Sequence, residues 1–302
     1  VHFFGKLLKE RDKPEFSELY YLKSHTMKLF CKSAAEKLEA QIKGMYCIIA
    51  QSATLSPPEY YKTMLGCPND TEYLSLPSPF PIENRLYLSI PEISTLYRDR
   101  PSSYREIAQI IYEVTEAHIG NYLAFFPSFS YMHAVLKELK PLQTTKKLLI
   151  QQNTMSERDR KRFLTKLRKP ERNHILFGVH GGIFSEGVDY RGKMAEGMFI
   201  IGPGLPRYCL EQELMKAYFQ SKYQKGFEYA YRNPGMTRVI QAAGRSIRSK
   251  HDQGFSILIG KRFANPYYRR ILPLDWELRP TRNPKREVIH FWQNSLLPIS
   301  FR

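Results

Sequence analysis

Cysteine is scarce in this 302-residue chain: there are four, Cys31, Cys47, Cys67 and Cys209, and no C-x-x-C pair among them. That spacing excludes a disulfide framework and a complete cysteine metal site, and fits thiols kept reduced in a cytosol. Long apolar runs are lacking too. None approaches the roughly 20 residues that a bilayer-spanning helix requires, so no membrane partner is expected. There is no low-complexity tract or internal repeat, and 42% hydrophobic with 25% charged residues excludes a disordered scaffold. Acidic side chains are the conspicuous shortage: 29 Asp and Glu face 46 Lys and Arg, a formal charge of +17.

That excess favours a polyanionic partner, most simply nucleic acid, whose phosphates bind Lys and Arg by releasing condensed counterions. The basic residues are interleaved with 20 Tyr and 18 Phe. This mixture suits a groove that tracks a phosphate backbone beside stacked bases. A basic enzyme with no such partner is the competing reading of composition alone. The opening stretch has no basic start, apolar block and small-residue cleavage site. Val1 stands where a methionine would, so the chain is expected to be part of something longer.

The first fifty residues read as helix and then strand. Ser33 with Glu36 resembles a helix cap, helix formers follow to Ile42, and Met45 to Ala50 is a short apolar run of the buried-strand kind. Residues 66–84 hold Gly66, Pro68, Pro77, Pro79 and Pro81 and read as a linker. Beyond it, strands are predicted at Arg85–Ile90, Tyr122–Phe126, Lys147–Gln151, Ile175–Val179, Met198–Ile201 and Phe255–Ile259. Helical patterns fall at 103–117, 129–139, 156–167, 209–231 and 236–249. Short apolar strands alternating with amphipathic helices predict an α/β fold, a parallel sheet covered on both faces, whose strands' carboxyl ends collect ligands.

Four segments carry chemistry. In 236–249 the residues Gln241, Arg245 and Arg248, at spacings of four and three, share one face of a continuous helix. Two planar guanidiniums and an amide on that face form an anion clamp suited to phosphate oxygens. A solvated basic face is the plainer alternative. After the strand Ile175–Val179 comes HGGIFSEGVDY, residues 180–190, where glycines permit close approach and Ser185, Glu186 and Asp189 offer polar groups. A polar turn is the plainer reading there. The hydroxyl-rich QSATLSP at 51–57 and the NYLAFFPSFSYM run at 121–132, with Ser128 placed as a helix cap, are two further strand ends.

In order and wording these segments resemble the carboxyl-terminal part of the XPD/DinG family of superfamily 2 DNA helicases. SATLSP at 52–57 looks like motif III, FFPS at 125–128 like motif IV, GGIFSEGVDY at 181–190 like motif V and QAAGRSIRS at 241–249 like motif VI. GLPRYCLEQEL at 204–214 and YRNPGMTRV at 231–239 also read like this family, and the resemblance covers about residues 28 to 275. It implies a RecA-like second lobe over 83–302 and the end of a first lobe over 1–82. It also implies ATP with Mg²⁺ held between two such lobes and single-stranded DNA moved 5′ to 3′. By matching positions, Arg245 and Arg248 would act on the triphosphate, with Gln241 beside them. Glu186, Gly187 and Asp189 would couple nucleotide to DNA. Phe126, Ser128 and Ser185 would lie along the DNA, and Ser52 and Thr54 would link the ATP state of the first lobe to strand movement. The resemblance implies a nucleoid-associated cytoplasmic place in a bacterium and a nuclear one in a eukaryote.

Some of the family pattern is not in the sequence. It contains no G-x-x-x-x-G-K-[ST] and no D-E-A-H-like box, the parts that cradle phosphates and hold Mg²⁺. The family's iron–sulfur cluster belongs to a first-lobe insertion, and the four cysteines here are wrongly spaced for it. Leu258 to Phe263 lacks the acid that often precedes Arg-Phe. The expectation is therefore the carboxyl-terminal portion of a longer helicase, inactive alone as an ATPase. A stand-alone nucleic-acid-binding module derived from a helicase lobe is the alternative. A basic metabolic enzyme would need a complete catalytic constellation, and the eight histidines show no ligand spacing such as H-E-x-x-H.

Overall fold

Apolar strands that alternate their side chains between two covered faces build the main sheet. A computed structural model of the chain describes residue 5 and residues 8–295. These fall into two units: Val1–Ser75 with Leu205–Gly235, and Leu76–Gly204 with Met236–Arg302.

In the second unit, β3 (Arg85–Ile90), β4 (Tyr122–Phe126), β5 (Lys147–Ile150), β6 (His174–Val179), β7 (Gly197–Ile201), β8 (Gly254–Ile259) and the short β9 (Arg279–Pro280) form one sheet. Its order is β5-β6-β4-β7-β8-β3-β9, and all its pairs are parallel. Period-two alternation separates the two cores. Leu123, Phe125, Leu176, Met198, Ile200 and Leu258 face one cluster. Ala124, Phe126, Phe177, Phe199, Ile201 and Ile257 face the other. The first cluster is covered by α5 (Glu157–Leu167) and α7 (Asn233–Ala243). The second lies under α3 (Arg100–Glu116), α4 (Phe129–Leu139) and α8 (Pro284–Ser295). Burial on both faces explains why these strands read as unbroken apolar runs. The doubly covered parallel sheet is the RecA-like lobe fold expected from the sequence.

The first unit holds an antiparallel hairpin, β1 (Phe16–Tyr21) with β2 (Thr26–Cys31), in register Phe16↔Cys31 to Tyr21↔Thr26. It also holds α1 (Ala35–Ile42), α2 (Pro58–Met64) and α6 (Leu210–Tyr223), followed by a π-helical turn at Glu228–Arg232. The expected helix at 209–231 is broken at Gln224, whose left-handed φ of 56° ends α6. Tyr218, Phe219, Tyr229, Ala230 and Tyr231 make an aromatic core with Tyr60 and Met64. Tyr60 meets Tyr229 edge to face at 5.0 Å. Those rings, with ion pairs of Lys222 to Glu36 and Lys28 to Glu211, tie 205–235 to the chain's beginning. The sequence placed 205–235 inside a single block, 83–302; its tyrosines instead find their packing partners on α2.

Two expectations for this unit are corrected. No element is expected from the sequence ahead of the cap at Ser33, where the hairpin lies; its turn lacks the usual Asn-Gly signal, and His25 itself takes φ 48°. Met45 to Ala50 is not a strand here: all six residues are exposed, Tyr46 and Ile49 strongly so. A strand needs neighbours for its ladder, and none of the described strands pairs with it. The cap at α1 is looser than a capping box: Ser33 Oγ accepts the Ala35 N–H at 3.3 Å, and Ala34 occupies the cap position. Among the described residues, no helix is long and apolar enough to cross a membrane.

Candidate functional site

The loop after β6, residues 180–190, is held by alternate anchors. Phe184, Val188 and Tyr190 are buried in the core, Phe184 stacks on Phe163 of α5 at 5.6 Å, and Tyr190 donates to the Phe184 carbonyl at 2.8 Å. Glu186 and Asp189, between those anchors, point outward with about half their side chains exposed. Gly181 (φ +70°) lets a guanidinium lie on the backbone: a Cβ there would meet Arg238 Cζ at 3.3 Å. At Gly182 a Cβ would strike Gln151 Nε2 at 2.8 Å, and Gln151 Oε1 is needed to accept the Val179 N–H at 3.1 Å.

Five arginines converge on this loop. Arg245 donates from Nε to the Ser185 carbonyl at 3.0 Å and from Nη1 to the Val188 carbonyl. Arg248 lies 3.5 Å from Asp189, which also pairs with Arg191 at 2.6 Å. Arg238 lies 3.6 Å from Glu186 and donates to the Gly204 carbonyl at 3.2 Å. Arg160, from α5, reaches the carbonyls of Ile183 at 3.3 Å and Gly187 at 3.4 Å. The hydrogen bond from Arg191, reinforced by the charges of Arg248 and Arg245, holds the Asp189 carboxyl below its ordinary range. Burial, with Arg248 alongside, pulls Arg245 below the usual arginine value. The half-buried Arg245 thus anchors the loop, and Arg248 carries a more exposed charge suited to an anion.

The structure changes how these residues come together. The helix bearing Gln241 ends at Ala243, not 249. Gly244 and Arg245 form a turn, and Arg248 lies outside any helix or strand, where Asp252 accepts the N–H groups of Arg248 and Ser249. The freed Ala243 carbonyl is taken by the hydroxyls of Ser246 at 3.3 Å and Ser256 at 3.2 Å. The glycine at 244 was the legible stop signal. Arg245 and Arg248 still meet at one loop, but through a turn rather than along a helical stripe. Gln241 remains half-buried on α7, one turn from Arg238.

Three residues expected along DNA differ sharply. Phe126 is fully buried, its ring 5.9 Å from Phe177 and 6.1 Å from Tyr131, so it is a core residue with no surface to offer. Ser185 is 2% exposed with its hydroxyl turned back to the Gly182 carbonyl at 3.1 Å, so it shapes the turn. Ser128 is the cap of α4, accepting the Tyr131 N–H at 3.3 Å. Gly187 takes φ +69° with nothing near its Cβ position. In the other unit, Ser52 Oγ meets Thr54 Oγ1 at 3.3 Å and accepts the Thr54 N–H at 3.2 Å, a local hydroxyl turn. Sequence reading missed Arg238, Arg160 and Arg191. The spacing 238, 241, 245 was a usable signal for the first; the others required the fold.

His180 opens the loop with Nδ1 out of contact with water and without a hydrogen-bond partner, although the residue as a whole is only half-buried. Burial lowers its pKa to about 4. Between that value and the ordinary imidazole pKa near 6.5 the unfolded chain binds the extra proton, so stability rises with pH across this window. Acidification from pH 6.5 to 4 is expected to destabilise the wild type relative to His180→Gln by about 3 kcal/mol. Denaturant unfolding of both proteins at several pH values reads the difference. Parallel curves would show that His180 does not titrate this way.

Among the described residues, no group of three or more His, Cys, Asp or Glu side chains is placed to hold a metal ion.

Comparison with known proteins follows the same lines. The family described as helicase C-terminal domain matches residues 111–278. The chain is 23% identical over 286 residues to the ATP-dependent DNA helicase CHL1 of Eremothecium gossypii, covering 87% of this chain and 35% of that protein. It is 29% identical over 245 residues to the ATP-dependent DNA helicase DinG of Photobacterium profundum, covering 78% and 34% respectively. The chain thus spans about a third of the length of these curated relatives. A solved apo structure of XPD shares the fold with a TM-score of 0.65 at 20% identity, over 92% of this chain and 56% of that one.

Proposed function

The chain belongs to the helicase C-terminal domain family, and on that premise we propose that it is the carboxyl-terminal part of an XPD/DinG-like ATP-dependent DNA helicase. In this reading 83–302, apart from the excursion at 205–235 that packs on α2, is the second RecA-like lobe and 1–82 the end of the first, with Met45 to Ala50 waiting for the rest of that lobe's sheet. One observation carries it: Arg245 and Arg248 meet the two-carboxylate loop at the carboxyl end of a parallel strand, where such sheets bind ligands.

ATP supplies the free energy, and a phosphate loop with its Mg²⁺ would come from the first lobe. The residues present here do the rest. Arg248 presents charge to a phosphate, and Asp189 holds its fork in place until an anion competes for it. Arg245 locks the loop backbone to the turn after α7, so movement of either arginine moves Glu186 and Asp189 as well. Coupling of hydrolysis to the DNA contact follows from that shared loop. Without a phosphate cradle the arginines cannot position a nucleotide, so this chain alone should not turn over ATP, because such catalysis is mostly positioning and charge stabilisation.

The test is directional unwinding by the complete protein. With ATP it should open duplexes with a 5′ single-stranded tail and leave 3′-tailed ones closed. ATP hydrolysis unaffected by DNA, with neither duplex opened, would refute the reading.

A further inference from the structure

The helix α5 makes a basic stripe that the loop chemistry does not use. Arg158, Lys161, Arg162 and Lys166 are exposed at helical spacing, and Lys169 continues the line in the turn beyond. From Arg158 to Lys166 the rise is about 12 Å. An ordinary solvated helix alternates signs along its outer face. Here the carboxylates of α5, Glu157 and Asp159, both lie in the first turn, and each is taken: Glu157 by Arg160 and Asp159 by Arg162, both at 3.0 Å. Among the described residues, no carboxylate lies within ion-pair distance of Arg158, Lys161, Lys166 or Lys169.

The direction of this stripe is set by the fold. Its beginning is next to the functional loop, because Arg160 bonds the Ile183 and Gly187 carbonyls. Its end is at the amino-terminal edge of the sheet, where Asn121, just before β4, donates to the Leu167 carbonyl at 2.9 Å. There the edge strand β5 begins with exposed Lys147, in register with His174. The aromatic side chain of α5, Phe163, faces inward. The outer face therefore offers long cationic side chains about one turn apart and no ring on which a base could stack.

We propose that the outer face of α5 and the start of β5 form a second track for the phosphate backbone of nucleic acid, continuing from the loop site to the opposite edge of the sheet. Contacts of this kind position a strand without reading its sequence. Burial, with the charges of Lys147, Lys166 and Lys169 outweighing the opposing charge of Glu171, holds His174 below its ordinary range. The inference rests on the nucleic-acid reading above.

Its test uses the complete protein with single-stranded oligonucleotides of about 6 and about 20 nucleotides over a salt series. In Lys161→Gln/Lys166→Gln/Lys169→Gln, affinity for the longer strand should fall tenfold or more. The slope of log affinity against log salt should lessen by about 2, three contacts at about 0.7 each. Binding of the shorter strand should be unchanged. Arg158→Gln/Lys147→Gln, a second surface variant, should lessen the long-strand slope by about 1. Unchanged slopes for the longer strand in both variants would overturn the track while leaving the loop site intact. Absence of salt-dependent binding of either strand by the unaltered protein would overturn the nucleic-acid reading with it.

Discussion

Arg245→Ala in the complete protein is expected to lower DNA-stimulated ATP hydrolysis by about 10³–10⁵-fold, the range for removal of an arginine that stabilises a transferring phosphoryl group. Two effects are combined at this residue. On the proposed reading its charge beside Arg248 would favour the transition state, while its fork ties Ser185 and Val188 to the turn after α7. Arg245→Lys separates them, because an ammonium keeps the charge but cannot span two carbonyls in a fixed plane. A lysine variant close to wild type would assign the effect to charge. One as poor as alanine, with kcat lost and KM little changed, would assign it to geometry. Activity within tenfold of wild type for the alanine variant would remove Arg245 from the reaction. Thermal unfolding of each variant guards against a simple loss of the loop.

The second large effect concerns stability. Asn121 is fully buried before β4 and is satisfied on every side. Its Nδ2 donates to the carbonyls of Leu167 at 2.9 Å and Lys193 at 3.0 Å, and its Oδ1 accepts the His174 N–H at 3.1 Å. The Asn121 backbone N–H donates to Glu196 at 3.3 Å. Burial raises Glu196's pKa, opposed by Arg172, which pairs with it at 2.8 Å. One amide thus fastens the entries to β4, β6 and β7. Asn121→Ala leaves two carbonyls and one N–H buried without partners, at about 1–3 kcal/mol each. The total expected loss is about 3–9 kcal/mol, a fall of roughly 6 °C or more in Tm for a domain of this size. Calorimetry or denaturant unfolding would measure it. A loss below 1 kcal/mol would mean that water replaces the amide without penalty.

These expectations draw on different kinds of information. Six of the seven strands of the main sheet were legible because a sheet buried on both faces demands apolar runs of about five residues; the two-residue β9, exposed and ending on Pro280, carries no such run. The loop at 180–190 and the arginines at 245 and 248 were legible as residue types. Phe126 shows the limit: FFPS reads the same whether its second ring faces DNA or the core. Only the cover over both faces of the sheet, with β4 between β6 and β7, buries that ring against Phe177. The hairpin was missed because His25 performs a turn that Gly or Asn usually performs.

By itself, the sequence determined the six strands β3 to β8 of the main sheet, which loop carries the carboxylates and that the chain is cationic, since each follows from side chains near one another in the chain. Tertiary structure alone decided that Arg160 and Arg191 join Arg245 and Arg248 around that loop. It also decided that the tyrosines of 205–235 pack with α2. Those outcomes depend on groups far apart in sequence competing for the same carbonyls, carboxylates and ring faces, and no local periodicity records which of them wins.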